Sequence, residues 1–402
     1  MLSLQHLNIG IGNKVEKCKI IFISNVTLGY SSPKYLSFIK LAQKKIENVE
    51  IETYERWDHL RPKYLIPDLV NVKRNILSGW LQKIKPKNNN LLIKVIRRLS
   101  LIVSEMNMIR GIIKKSKKEK LIVVTTFENP LFGLFESRSN IGILQNYSEI
   151  WGEDSANPFD KLQNFFSKGL INKYRDSVKW CVSPQQDRLR LATQLYPNAK
   201  QYLVLNCPSL NDKVVDKNFD EIKVLYQGAI GETNYPIELM HDLAKLSEYY
   251  EVHFAGKVAD KYKIVFDEIV NKSSIIVHGY LNQFDLNTLR NECNVGLVYW
   301  DESNLNTKYC APNKLFEFIS CGYFVISSKN HSLNQFYSDY QFGLNIDVGS
   351  TDIIEEIKNT NIVDFERVSN SNKKHYIESL NFEFQNKLLI QELLNFIRVD
   401  KH

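Results

Sequence analysis

In the stretch APNKLFEFISCG, residues 311–322, a lysine and an acid stand three residues apart in an apolar, helix-period setting. Lys314 and Glu317 therefore share one helix face. Pro312 suits the first turn of a helix, where a missing N–H costs nothing. Gly322 suits the position just past the end. The spacing predicts a short helix over 312–321, with Leu315, Phe318 and Ile319 as its buried stripe. A helix amino end offers free N–H groups and a partial positive charge, which suit a phosphate. Lys314 adds a full charge there. Glu317 lies about 4.5 Å further along the axis, from the helical rise. That is the step from a diphosphate to a ribose, whose two hydroxyls a carboxylate accepts. The set suits a nucleoside diphosphate. The spacing alone equally describes a surface helix with a Lys–Glu pair.

Strands must carry such a helix to a ligand. KIIFIS (19–24), LIVVTTF (121–127), IGILQNY (141–147), VKWCVS (178–183) and YLVLN (202–206) are apolar, β-branched runs separated by helical stretches. A second series follows: IKVLYQG (222–228), YEVHFAG (250–256), SIIVHGY (274–280), NVGLVYW (294–300), GYFVISS (322–328) and FGLNIDV (342–348). Alternating strand and helix argues for an α/β fold with doubly wound sheets. We expect two Rossmann-like domains facing across a cleft: residues 1–206, a polar linker at 207–221, and residues 222–380. The amphipathic stretch 381–402 is expected to form a helix that crosses back to the first domain. Ligands of open α/β sheets bind at the carboxyl ends of the strands.

Composition limits the function classes. The 402 residues fit two domains, and 44% hydrophobic with 24% charged residues is an ordinary globular balance. No run of about 18 apolar residues predicts a spanning helix. Residues 1–18 read as a loose leader rather than a targeting segment. The six cysteines form no C-x-x-C pair and no zinc-type cluster, so reduced thiols of a cytosolic protein are expected. The only G-x-G, at Gly10–Gly12, precedes the first strand, which argues against a dinucleotide-dependent oxidoreductase. Charge is uneven. Between Arg61 and Lys120 there are 16 Lys and Arg against three acids, or +13, leaving −6 elsewhere for an overall +7. Such asymmetry suits an anionic partner.

YCAPNKLFEFISCGYFVISS (309–328) resembles the signature of group 1 (family 4-like) glycosyltransferases of GT-B fold, particularly bacterial polysaccharide enzymes reading P-x-K-x-x-E-x-x-x-x-G-x-P-V-I. The resemblance runs through the C-terminal half in order: VLYQGAIGETN, HFAG, VHGYL, VGLVYW, then the signature. The N-terminal half matches in layout only. The resemblance implies a UDP- or GDP-linked sugar held by the second domain. Glu317 matches the second acid of the family's Glu-x7-Glu pair, the ribose ligand. Tyr280 and Leu281 match the loop that holds the base, and Gly228 the glycine that approaches the diphosphate. Pro312, Asn313 and Leu315 complete the expected nucleotide-sugar site at the helix start. Two departures stand out. Tyr309 occupies the place of the first glutamate, and Ala229 that of the family's arginine, with Asn234 near its lysine. Phosphate charge then falls to Lys314, the helix end, and Lys257 or Lys308.

On the acceptor side, Glu149 is the expected base for deprotonating an acceptor hydroxyl, with Glu153 and Asp154 as alternates. The loop SNVTLGYSSP after the first strand resembles the acceptor loop of GT-B enzymes, which Asn25 and Gly29 would line. No two aspartates stand two apart, so metal-independent transfer is expected, with no metal site and no cofactor beyond the nucleotide-sugar substrate. Residues 61–120 are expected to form a basic amphipathic helical insertion, ending in KKSKKEK (114–120), that suits an anionic membrane surface. No nucleic-acid-binding motif accompanies the charge. The expected function is sugar transfer to a saccharide or lipid-linked saccharide in capsule or O-antigen assembly, in the cytoplasm and peripherally on the inner membrane face. Alternatives are a sugar-nucleotide 2-epimerase, or a catalytically silent nucleotide-sugar-binding subunit, which Tyr309 permits.

Overall fold

The apolar runs build two parallel sheets. The computed structural model describes residues 18–24, 33–55, 72–77, 91–136, 138–150, 158–211, 214–231, 237–347 and 352–398. Among these, β1 (Cys18–Ser24), β2 (Val49–Glu55), β3 (Val72–Ile76), β4 (Lys120–Thr125), β5 (Ile141–Asn146), β6 (Val178–Ser183) and β7 (Lys200–Leu203) form one sheet in the order β3-β2-β1-β4-β5-β6-β7. The strands β8 (Lys223–Gln227), β9 (Glu251–Ala255), β10 (Ile276–Gly279), β11 (Val295–Val298), β12 (Phe324–Ser328) and β13 (Gly343–Ile346) form a second, in the order β10-β9-β8-β11-β12-β13. Neighbouring strands are parallel throughout; Ile20, for example, stands beside both Ile51 and Ile122. Helices cover both faces, which is why β4 and β12 are buried along their whole length. Each order reverses beside its first strand, so the switch points lie at β1/β4 and β8/β11.

β2 and β3 carry no continuous apolar run. β2, VEIETYE, alternates instead, and its Glu52 is buried because Lys115, Tyr54 and Asn75 all bond its carboxylate. β3 carries Lys73 and Arg74 at the sheet edge. The run at 202–206 forms strand only to Leu203, and Val204 to Asn206 lead into the linker.

The signature helix spans Asn313–Ser320. Pro312 is its N-cap, so the helix begins one residue later than the sequence suggested, and Gly322 takes φ +69° past its end. Leu315, Phe316, Phe318 and Ile319 are all buried. Each contributes on the order of 1.5–3 kcal/mol by leaving water. Gly296 of β11 lets the helix close on the sheet, since a Cβ there would lie 2.7 Å from the Phe318 ring.

Helix Lys387–Arg398 returns to the first sheet. Leu389, Ile390, Leu393 and Ile397 enter one core with Phe22, Ile39, Leu144 and Trp180. Phe396 meets Trp180 edge-on at 5.3 Å, and Lys120 Nζ donates to its carbonyl at 3.0 Å. Of the basic insertion, residues 61–71 and 78–90 lie outside the described set. Its helix, Leu91–Ser116, buries Met108, Ile109 and Ile112 on the first sheet and leaves Ile96, Leu99 and Val103 exposed. No helix among the described residues is long and apolar enough to cross a membrane. All six cysteines are free thiols; burial pushes Cys18, Cys293 and Cys310 up to about 12, which disarms them as nucleophiles.

Candidate active site

β8 delivers Gln227 and then Gly228 to the carboxyl edge of the second sheet. Gly228 has φ +146°, a backbone that L side chains avoid, and its N–H donates to Ala255 O at 2.9 Å. A Cβ on Gly228 would lie 2.0 Å from Lys314 Nζ. The glycine and the lysine therefore define one small space. Gly256 presses on the same turn, since its Cβ would lie 1.6 Å from Gly228 O. Lys314 is half-buried, with Nζ 5.5 Å from the Tyr226 ring centroid. Burial pushes its ammonium down to about 8, and the neighbouring Glu317 acts against that shift. No side chain caps the helix at Pro312; Leu315 N–H bonds back to Pro312 O at 3.1 Å, and the Asn313 and Lys314 amides have no side-chain cap.

Glu317, one turn on, is held from behind. Gln227 Nε2 and Arg290 Nη2 both donate to its Oε2, each at 2.6 Å. Arg290 Nε donates to Gln227 Oε1 at 2.8 Å, which closes a three-residue ring. Arg290 and Gln227 are 6% and 4% exposed, whereas the Glu317 side chain is 27% exposed. Among the described residues, none donates to Glu317 Oε1.

The remaining second-domain candidates lie on the segments that follow β8, β10 and β11 and at the helix start. Tyr280 follows Gly279, which has φ +64°, and lies 61% exposed with Lys257 Nζ 4.8 Å from its ring centroid. Leu281 is half-buried and packs against the core that holds Leu315 and Phe318. Ala229 O accepts from Tyr226 OH at 3.0 Å. Tyr309 caps the short helix Leu305–Lys308 and meets the His331 ring at 5.3 Å, with Lys308 Nζ 5.9 Å away. Asn313 is exposed and Pro312 and Leu315 are buried. Asn234 lies outside the described residues, as do Asn25, Gly29, Glu153 and Asp154.

Glu149 follows β5 on the first sheet and is exposed. Its loop is tied to the second domain on both sides. Arg188 donates to Ser148 O and, at 2.8 Å, to Asn306 O. Ile150 N–H donates to Asn306 Oδ1 at 2.8 Å, and Asn306 Nδ2 returns a bond to Ile150 O at 3.0 Å. Lys34, at the start of helix Pro33–Lys45, donates to Ser148 Oγ at 2.5 Å. Burial, then Arg188, push Lys34 down to about 8 against the pull of Glu149. A second bridge joins His331 Nε2 to Asp187 Oδ2 at 2.9 Å.

The structure thus brings Gly228, Lys314 and Glu317 together, and sets Glu149 where the domains meet. Gln227, Arg290, Arg188, Asn306 and Lys34 escaped the sequence reading. Arg290 and Gln227 stand 27 and 90 positions from Glu317, where no local pattern links them.

No family model and no curated protein matches the chain. Solved structures do. WaaG, a glycosyltransferase involved in lipopolysaccharide biosynthesis, superposes with a TM-score of 0.56 at 10% identity, over 95% of this chain and 100% of its own. Anabaena HepE in complex with UDP gives 0.61 at 11%, over 94% and 100%. Sucrose-phosphate synthase from Thermosynechococcus elongatus gives 0.63 at 12%, over 95% and 100%. At such identities the likeness is one of fold, and the fold is GT-B.

Proposed function

We propose that this GT-B chain is a glycosyltransferase. The second domain holds a nucleotide sugar, linked to UDP or GDP. The first holds a saccharide or lipid-linked saccharide acceptor of bacterial surface polysaccharide. The observation that carries the reading is one cluster at the carboxyl edge of the second sheet: Gly228 against Lys314, with the uncapped helix start, and Glu317 one turn further on. That sequence of groups suits a diphosphate followed by a ribose. Solved complexes of HepE with UDP and with UDP-glucose support a uridine donor, and the lipopolysaccharide enzymes WaaG and WaaB support the pathway class.

In this reading Glu149 takes the proton of the acceptor hydroxyl, whose oxygen bonds to the anomeric carbon. The bond from that carbon to the diphosphate oxygen breaks. The charge left on the diphosphate is met by Lys314 and the helix amides. No step calls on a metal. The protein works in the cytoplasm, peripherally on the inner face of the membrane, with the basic face of helix Leu91–Ser116 towards anionic lipid.

Calorimetry with UDP tests the donor site. Glu317→Ala is expected to weaken binding by about 1–3 kcal/mol, the scale of hydrogen bonds to a charged group. Unchanged affinity would remove the ribose assignment. Product analysis separates the rival chemistry: a 2-epimerase converts a sugar nucleotide with no acceptor present, and a transferase does not.

A further inference from the structure

We propose that Arg290 and Gln227 are positioning residues that make the site select ribonucleotides over 2′-deoxyribonucleotides. The inference rests on the donor-site reading above and concerns how Glu317 is aimed.

A carboxylate has two oxygens and, left alone, turns about its last bond. Here two donors converge on Oε2 at 2.6 Å each, and a third bond, from Arg290 Nε to Gln227 Oε1 at 2.8 Å, keeps those donors in register. Arg290 is itself anchored. Its Nη1 donates to Asn287 Oδ1 at 3.1 Å, and its carbonyl accepts from Tyr323 OH at 2.7 Å. The guanidinium is planar and its donors are fixed in a fork, so the carboxylate plane is fixed with it. Among the described residues none donates to Oε1, and the side chain is part-exposed, so the lone pairs of Oε1 are left for a ligand. An oxygen so fixed accepts from two adjacent hydroxyls and gains nothing from a carbon that lacks one.

Gln227 adds a second constraint. It immediately precedes Gly228, whose turn shares its space with Lys314. The residue that steadies the acid is thus covalently joined to the phosphate turn, and the separation of the two subsites is set by one peptide unit.

The test titrates UDP, 2′-deoxy-UDP and inorganic pyrophosphate into the wild-type chain, Arg290→Met and Gln227→Met by calorimetry. The wild type is expected to prefer UDP over its 2′-deoxy form by about ten- to a hundredfold, the scale of one hydrogen bond to a charged group. In Arg290→Met the preference narrows to about twofold, with pyrophosphate affinity held within about twofold. Gln227→Met, which leaves the guanidinium in place, narrows it severalfold, and decides alone if Arg290→Met does not fold. A preference unchanged in the folded variants overturns the proposal. An equal loss for all three probes also overturns it, because that marks a collapsed site rather than a misaimed acid. A wild type that binds UDP and 2′-deoxy-UDP equally removes the ribose assignment itself, and one that binds neither UDP nor pyrophosphate removes the donor site.

Discussion

Lys314 is kept at a cost to the unliganded fold. Its ammonium titrates near 8 in the folded chain against an ordinary 10.5. Between those values the unfolded chain binds more protons than the folded one, so stability rises with pH through that window, and the penalty is present in full below it. Lys34 and Lys217 are lowered to about 8 in the same way, chiefly by burial. Lys314→Met is therefore expected to raise the melting temperature of the unliganded protein at pH 7 by about 2–4 °C. The same variant should weaken UDP binding by about tenfold or more, as a lost charge-assisted contact does. A bound diphosphate reverses the shift, so UDP binding near pH 8 should take up protons. Calorimetry in two buffers of different ionisation enthalpy reads that uptake directly; its absence, or its persistence in Lys314→Met, refutes the assignment. Lys314 and Glu317 were legible in the sequence because their relation is local, three residues on one helix face. The ring behind Glu317 was not, because only tertiary folding brings Arg290 to it.

Among the elements, helix Lys387–Arg398 shows what a sequence pattern conveys and what it omits. Its apolar stripe is plain in the sequence. Its seat beside Phe22 and Trp180 depends on the path of the chain through residues 352–386. Leu393 is fully buried there. Leu393→Ala should cost about 2–5 kcal/mol, read as a lower urea midpoint; a shift within error would show that the helix is not part of that core. β2 stayed illegible for the opposite reason. Glu50, Glu52 and Glu55 break its apolar run, and Glu52 is tolerated because Lys115 reaches it from helix Leu91–Ser116, with Tyr54 and Asn75 bonding the same carboxylate. That pairing also bears on the membrane reading. Lys115 is engaged, whereas Lys114, Lys117 and Lys118 are exposed. Replacing those three with Gln should reduce co-sedimentation with anionic liposomes, at about 1 kcal/mol per lysine. Equal sedimentation would assign that face to solvent.

In the molecule as a whole, the alternating strands and helices announced two doubly wound sheets, and the order of each follows the common rule for such folds. The way the sheets meet was not announced. Asn306 pairs with the backbone of Ile150 as one strand would with another, and Arg188 spans from Ser148 to Asn306. The expected base, Glu149, sits between those two tethers. Asn306→Ala should leave UDP affinity within about twofold, because Asn306 makes no bond to Gly228, Lys314 or Glu317, and cut transfer by about tenfold or more through misplacement of Glu149. Small-angle scattering should show a larger radius of gyration. Full transfer activity in this variant would separate Glu149 from the chemistry.

The returning helix also dictates when the core of the first sheet is complete as the chain leaves the ribosome. Domains ordinarily fold in the order they are translated, amino-terminal first. Here the half made first lacks part of its interior until Leu389 to Ile397 emerge, after the whole of the other half. The nascent first sheet must wait with an apolar groove uncovered, and a chaperone that shields such surface during elongation has its longest task on the segment synthesised earliest.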